Sequence, residues 1–305
     1  MNIKKIAAIA LSATLAATLT CHTLPTYAKD DTTELTVATF NIDAKSSPNV
    51  KKQSNLMAKN GVEIVGVQEV DNNTIRNDYN MAKKFAQDPY KSYYYTNAIG
   101  FQGGEYGIAT VSKYKLKNST ETKLESDEFK GKELAQELAE AYMKNDPNDQ
   151  ATVDALDAVS EKGPIEPRYF QRSEFKKDGK TIAFYNTHLS YEDESLRKIQ
   201  METVLEALDN DTCEYKILVG DFNADQGTKE FNMFKKNYKL SNGFKGTWLD
   251  TYTGEDDTMK VNSVDNIIVS KNIKIKSVKM VSNSTSDHNP LVANLELKQN
   301  KTLSS

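Results

Sequence analysis

Short apolar runs and longer amphipathic stretches divide this chain. Apolar and β-branched runs occur at residues 35–42 (LTVATFNI), 62–70 (VEIVGVQEV), 92–95, 107–111, 264–269 (VDNIIV), 273–280 and 291–297, and each predicts a strand. Residues 169–175 and 181–186 predict a hairpin turning on 177–180 (KDGK). The centre of the pattern is 216–226 (KILVGDFNADQ). Ile217, Leu218 and Val219 make a buried strand that stops at Gly220 and delivers Asp221 and Asn223 at its carboxyl end. Residues two apart in a strand point to the same side, so this carboxylate and this amide face one spot. A polar turn would also use Asp, Asn and Gly, so the run gains meaning only from its neighbours.

Helical patterns fall between the strands. Residues 49–60 predict a short helix closed by Gly61, and 76–90 predict an amphipathic one. The strongest covers 192–208, with Leu196, Ile199, Val204, Leu205 and Leu208 assigned to one face. Residues 117–163 are rich in Glu, Lys and Ala, with helical patterns at 132–144 and 150–161 broken at 145–148 (NDPN). They predict a charged helical insertion on the surface. Residues 101–106 read as a glycine-bearing loop, and 300–305 as a frayed tail.

Two halves share a rhythm. The first runs strand, Asn41, helix, strand, Glu69; the second runs strand, His188, helix, strand, Asp221. Polar residues arriving at matching strand ends predict crossover units. Two sheets packed face to face, with helices outside, would bring all four residues to one rim.

Composition changes this picture little. The chain has 305 residues, 39 Lys+Arg against 43 Asp+Glu, and a net charge of −4. That length allows a sizeable core, and the mild acidity supplies no bulk attraction for nucleic acid, although a local basic patch is compatible with it. The first 28 residues read as a signal peptide, with Lys4 and Lys5, an apolar stretch from Ile6, and a small-x-small cleavage site at Thr26-Tyr27-Ala28. Thr18-Leu19-Thr20 is a poor lipoprotein context for Cys21. Secretion and a mature domain at 29–299 are therefore expected, and the net charge becomes −6 once Lys4 and Lys5 leave. Cys213 is then the lone cysteine, so a core or a metal must replace disulfides. A monomer is expected.

The candidate chemistry lies in Asn41, Glu69, His188, Asp221, Asn223, Asp265, Asp287 and His288. Glu69 stands on physics alone, because an acid near the end of an apolar run is costly unless it is paired or bound to a cation. The chain has three histidines, and both that lie beyond the signal segment, His188 and His288, sit at strand or loop ends beside polar runs. Carboxylate and amide oxygens suit a hard cation such as Mg²⁺, which can polarise a phosphoryl oxygen. Histidine can donate to phosphate or move protons. Zinc is disfavoured by the lack of a His-x-x-x-His or cysteine pair. Serine hydrolases and P-loop enzymes are disfavoured by the lack of their glycine motifs.

The ordered segments TFNI, VQEVD, GGEYGIATVSKY, NTHLS, GDFNAD, VDNIIVS and SDHNPLVANL resemble the endonuclease/exonuclease/phosphatase superfamily. The resemblance spans residues 35–297. It implies an α/β, deoxyribonuclease I-like fold: a four-layer sandwich of two packed mixed β-sheets flanked by helices. It also implies a Mg²⁺- or Mn²⁺-dependent phosphoesterase acting by in-line attack of water. On this resemblance Glu69 binds the metal, Asn41 supports the metal site, and Asp287 lies at a metal or water site. Asp221 orients or deprotonates water, Asn223 contacts the scissile phosphate, His288 is the catalytic histidine and Asp265 orients it. His188 is the phosphate-side histidine, Glu105 the acid expected to hold it, and Arg168 the expected phosphate-binding arginine, with Arg172 as runner-up. Asp71, Asn73 and Arg76 either line the substrate pocket or cap the following helix. The implied substrates are nucleic acid, a phospholipid such as sphingomyelin or a small phosphoester. A phospholipid would call for interfacial aromatics, with Tyr93, Tyr94, Tyr95 and Trp248 as candidates. A binding protein that kept the fold and lost activity is the alternative from another class.

Overall fold

The computed structural model of the chain describes residues 32–126, 166–191, 194–224, 229–242, 248–254 and 262–298. The expected signal segment, the tail and residues 127–163 of the expected insertion lie outside the described residues. The first sheet contains β1 (Thr33–Asn41), β2 (Ile64–Asn72), β3 (Ser92–Phe101), β4 (Gly104–Ser112), β11 (Ile273–Met280) and β12 (Leu291–Leu297). Its order is β11-β12-β1-β2-β4-β3. The second contains β5 (Lys117–Lys123), β6 (Tyr169–Lys177), β7 (Lys180–His188), β8 (Tyr215–Asp221), β9 (Tyr238–Leu240) and β10 (Asp265–Ser270), in the order β5-β6-β7-β8-β10-β9. Helices α1 (Val50–Lys59), α2 (Met81–Phe85) and α3 (Glu194–Asn210) lie between strands.

Each sheet has one parallel pair at its centre. The β1/β2 pair is joined through α1, and β7/β8 through α3. These are the two crossover units that the rhythm predicts. Helix α1 starts where the Asn49 side chain accepts a hydrogen bond from the Lys52 amide at 3.0 Å. It stops before Gly61, whose φ of 76° suits glycine.

Three apolar layers result. Between the sheets, Val37 and Ile64 pack in one cluster with Phe184, Ile217, Val219 and Ile267. Outside the first sheet, Phe40, Val65, Val67 and Val70 meet Met57, Met81 and Phe85. Outside the second, Tyr185, Leu218 and Ile268 meet Met201, Val204 and Leu208. Two sheets between two outer layers make the four-layer α/β sandwich. Full burial stabilises by roughly 1.5–3 kcal/mol per large side chain, and Cys213 is a free thiol, so packing is the main support among the described residues. The inter-sheet layer turns polar toward one part of its span. There Gln68 Nε2 donates to Asn186 Oδ1 at 2.7 Å, and Asn186 Nδ2 donates to the Ala109 carbonyl at 2.9 Å.

Several expectations need correction. The first residues assigned to the insertion, 117–123, are instead edge strand β5 against β6. The loop at 101–106 is a tight hairpin, because β3 and β4 both run longer than their apolar cores. Of the helix at 76–90 only α2 forms, capped by Asn80. Ile199 is 47% exposed, while Arg197, Met201, Val204 and Leu208 face inward. Ile199 lies two residues from both Arg197 and Met201, which is more than half a turn away on a helix.

Candidate active site

Both crossover units end at the same rim. Asn41 ends β1, Glu69 lies near the end of β2, and His188 and Asp221 end β7 and β8 opposite each other in register. Asp265 opens β10 directly across from Asp221 on its other side. Carboxyl ends of parallel strands leave the ladder and can aim side chains into a crevice.

Asp221 is the hub. Its Oδ2 accepts from Asn41 Nδ2 at 3.1 Å and lies 3.6 Å from Nε2 of both His188 and His288. Its Oδ1 accepts from the Asn223 amide at 3.0 Å. Asn223 sits at φ 46°, a left-handed position that asparagine tolerates, and its Nδ2 donates to the Leu189 carbonyl at 2.8 Å. Burial raises the Asp221 carboxyl to about 6, against the pull of the neighbouring His288.

Glu69 reaches the site through a β-bulge. The pairing of β2 with β4 shifts between Val67 and Val70, so both valines face the outer core although they are three residues apart. Glu69 lies between them in left-handed backbone, φ 55°, a costly conformation for glutamate that re-aims its side chain. Its Oε1 accepts from Asn41 Nδ2 at 3.0 Å. One asparagine amide therefore bridges Glu69 and Asp221 across the two sheets. The Asn41 Oδ1 is engaged by the Asp43 amide at 3.1 Å, so Asn41 orients the acids rather than offering them its oxygen.

His288 arrives on the loop between β11 and β12. Its amide donates to Ser286 Oγ at 3.0 Å, and that hydroxyl donates to the Asn41 carbonyl at 2.7 Å. Its Nδ1 lies 2.9 Å from Asp265 Oδ2. Burial pulls the imidazole down, but Asp265 and Asp221 outweigh it and hold His288 up at about 10, as the imidazolium. Tyr252 covers the ring at 5.1 Å between centroids.

His188 is in the opposite state. Its Nδ1 lies 3.0 Å from an Arg168 guanidinium nitrogen, which also contacts Glu166 Oε2 at 3.1 Å. Burial first, then the charges of Arg168 and His288, push its pKa well below the usual value. The acid expected to hold it, Glu105, is elsewhere: its Oε2 accepts from Asn72 Nδ2 at 2.7 Å, because the register places Asn72 opposite Glu105. Arg172, the runner-up phosphate ligand, pairs with Asp211 at 2.7 Å.

Asn41, Glu69, Arg168, His188, Asp221, Asn223, Asp287 and His288 line a cleft of about 450 Å³. Its walls add residues that the sequence reading missed: Lys45, Phe101, Tyr106, Glu166, Tyr191 and Tyr252. Only Glu166, as part of a charged Glu-Pro-Arg triplet, carried any local signal. Arg76 is in the wall, its Nε and Nη2 on Asp71 at 2.7 and 2.9 Å and its guanidinium 4.5 Å from the Phe101 ring centre. Of the interfacial candidates, Trp248 packs on Phe231, and the Tyr94 hydroxyl donates to Glu121 at 3.1 Å.

The donor set fits a hard cation. Glu69 opens partly to the cleft, has only the Asn41 amide as hydrogen-bond partner among the described residues, and is raised by burial to about 7. Asp287 lines the same cleft and is also raised, first by burial. Neighbouring carboxylates pushed toward protonation lack a counter-charge that a divalent ion would supply. Asp221, Asp265 and His288 also group closely enough to hold an ion, their ligand atoms lying within 4.8 Å of one another. In that group His288 Nδ1 engages Asp265 Oδ2, while the buried Asp265 Oδ1 has no hydrogen-bond partner among the described residues.

Fold and cleft together define the deoxyribonuclease I-like α/β sandwiches, a class of hydrolases. The chain belongs to the endonuclease/exonuclease/phosphatase family, whose model matches residues 38–288. Among solved structures, a family member from Bacteroides thetaiotaomicron is 17% identical, covers 88% of this chain and 99% of its own, and superposes with a TM-score of 0.61. A mannosyl-6-phosphatase from the same organism is 16% identical over 86% of this chain and 99% of its own, TM-score 0.58. The human Nocturnin catalytic domain, solved with a bound sulfate anion, is 19% identical over 86% and 93%, TM-score 0.57. No curated protein matches the sequence.

Proposed function

We propose that the protein is an exported Mg²⁺- or Mn²⁺-dependent phosphoesterase that hydrolyses a phosphodiester by in-line attack of water. The observation that carries this reading is the convergence of residues from both sheets on Asp221 Oδ2, with Asn41 at 3.1 Å and two histidines at 3.6 Å. The amino-terminal basic and apolar segment supports export.

Glu69 and Asp287 would hold the ion, with Asn41 orienting Glu69. When bound, it would offset charge on the phosphoryl oxygens and acidify water. Asp221, raised to about 6, takes the proton of the attacking water and is a better base than an exposed aspartate. His288, cationic and oriented by Asp265, keeps Asp221 ionised and supplies positive charge to the phosphoryl group. Asn223 and His188 donate to phosphoryl oxygens from the other side. The new oxygen–phosphorus bond forms opposite the breaking one, with no covalent intermediate on the chain.

A small phosphoester is the second reading. The cleft of about 450 Å³ has Phe101, Tyr191 and Tyr252 in its walls, and one structural neighbour is a mannosyl-6-phosphatase.

The test is hydrolysis of bis(p-nitrophenyl) phosphate, p-nitrophenyl phosphate, DNA, RNA and sphingomyelin by the purified chain, with Mg²⁺, Mn²⁺ or chelator. Activity that chelator removes is expected. Asp221→Ala and His288→Ala should each lower kcat by about a thousandfold. Turnover of none of these substrates would overturn the proposal.

A further inference from the structure

We propose that Arg168 is a positioning residue that locks His188 in its Nε2-protonated tautomer, making His188 a fixed neutral donor to the phosphoryl group rather than a proton carrier. The donor role rests on the phosphoesterase reading above; the tautomer does not.

The argument is one of donors and acceptors. A guanidinium carries only N–H donors and stays charged at any working pH. Its nitrogen 3.0 Å from His188 Nδ1 must therefore donate, and Nδ1 must accept. A neutral imidazole has one proton, so that proton is on Nε2. Both residues are buried, Arg168 4% and His188 6% exposed, which leaves little room for the pair to exchange partners with water. The Arg168 nitrogen is braced from its other side by Glu166 Oε2 at 3.1 Å. The protonated Nε2 faces Asp221 Oδ2 and the cleft.

His288 shows the contrast. Its Nε2 is the same 3.6 Å from the same carboxylate oxygen, but its Nδ1 meets Asp265. A carboxylate behind one ring favours the cation; a guanidinium behind the other forbids it. Adding a proton to His188 would point a new N–H at Arg168. The two histidines are thus divided by the charge of their rear partners: His288 brings positive charge, and His188 brings a hydrogen bond that never titrates. Arg168 acts on the phosphate through His188, which refines its expected role as a direct phosphate ligand.

Imidazole ¹⁵N–¹H correlation spectra of the labelled full chain read the tautomer directly. His188, assigned by loss of its signals in His188→Gln, should show a protonated Nε2 and a bare Nδ1. Arg168→Glu should put a proton on Nδ1 and make the ring doubly protonated like that of His288, and Arg168→Lys, which still donates, should keep the wild-type pattern. In parallel, His188→Gln keeps a neutral N–H donor and should hold kcat within about tenfold of wild type, while His188→Ala loses about a hundredfold or more. A protonated Nδ1 in the wild type, or Gln as inactive as Ala, would overturn the proposal. A chain with the expected spectrum that hydrolyses no phosphoester would sink the functional reading and the donor role, and leave Arg168's hold on the tautomer standing.

Discussion

Glu69 shows how much one residue can reveal. It was legible in the sequence because a charge near the end of VEIVGVQEV has no cheap place in a core. The structure adds the bulge and the left-handed backbone that turn it to the cleft, and a carboxyl raised to about 7 by burial. A group in that state stabilises the ion-free fold poorly and a cation well. Glu69→Gln should therefore weaken Mg²⁺ binding by about tenfold or more in calorimetry, while the melting temperature in chelator stays level or rises. The wild type should gain about 2.7 kcal/mol at a Mg²⁺ concentration a hundred times Kd, and the variant should gain less. A variant that melts lower in chelator and binds Mg²⁺ normally would assign Glu69 to the framework. The partner of His188 was not legible in the same way. Glu105 and Arg168 are both polar residues at strand margins, and the choice between them depends on the register of β2 with β4, which no local pattern encodes.

Elements were legible where burial enforces a period, and not where hydrogen bonds inside a polar segment replace it. The central strands β1, β2, β7 and β8 announced themselves as apolar runs. Strand β5, sequence KNSTETK, is mostly exposed and carries no apolar alternation; pairing with β6 makes it a strand. The expected helix at 76–90 loses its first turn because Asp71 collects Thr74, Arg76 and Asn77. These bonds fix a loop that presents Arg76 to the cleft. The link from α3 to β8 is held to β6 by Arg172 on Asp211, joined by the Tyr185 hydroxyl at 2.6 Å. Burial raises the Asp211 carboxyl, but Arg172, Tyr185 and the Cys213 amide outweigh it and bring it down to about 2. Its folded pKa lies below the unfolded value of about 3.9, so its stabilisation is complete above that value and is lost as pH falls toward 2. Urea midpoints measured between pH 5 and 2.5 should fall in the wild type, and less steeply in Asp211→Asn. Parallel slopes would show that the acid sensitivity lies elsewhere.

At the scale of the whole molecule the site is a seam. Glu69 and Asn41 belong to the first sheet, and Asp287 lies on the loop before its strand β12; His188, Asp221, Asn223 and Asp265 belong with the second. The residues proposed to hold the ion and those proposed to activate water thus sit on different layers, joined by the 3.1 Å bond from Asn41 to Asp221 and by His288 reaching to Asp265. The spacing of the layers should therefore set the rate without setting metal affinity. Gly66 controls that spacing. It lies on β2, and a Cβ there would come within 2.4 Å of Val219 Cγ2 on β8 and 2.6 Å of Asn186 Oδ1 on β7. These contacts are too close for a side chain, so Gly66→Ala must push the sheets apart or displace the buried amide. Overpacking of this kind costs about 1–3 kcal/mol, and displacing reacting groups by a fraction of an ångström to 1 Å can cost up to about a hundredfold in rate. The expected variant unfolds at lower urea and loses at least tenfold in kcat. It still binds Mg²⁺ within about threefold of wild type, because Glu69, Asn41 and Asp287 move together with their own sheet. A variant that loses stability but keeps kcat would show that the seam tolerates the shift and that the geometry around Asp221 is set within the second sheet alone. One that loses Mg²⁺ binding in step with kcat would place the ion across the seam, in the grasp of Asp221 as well as Glu69.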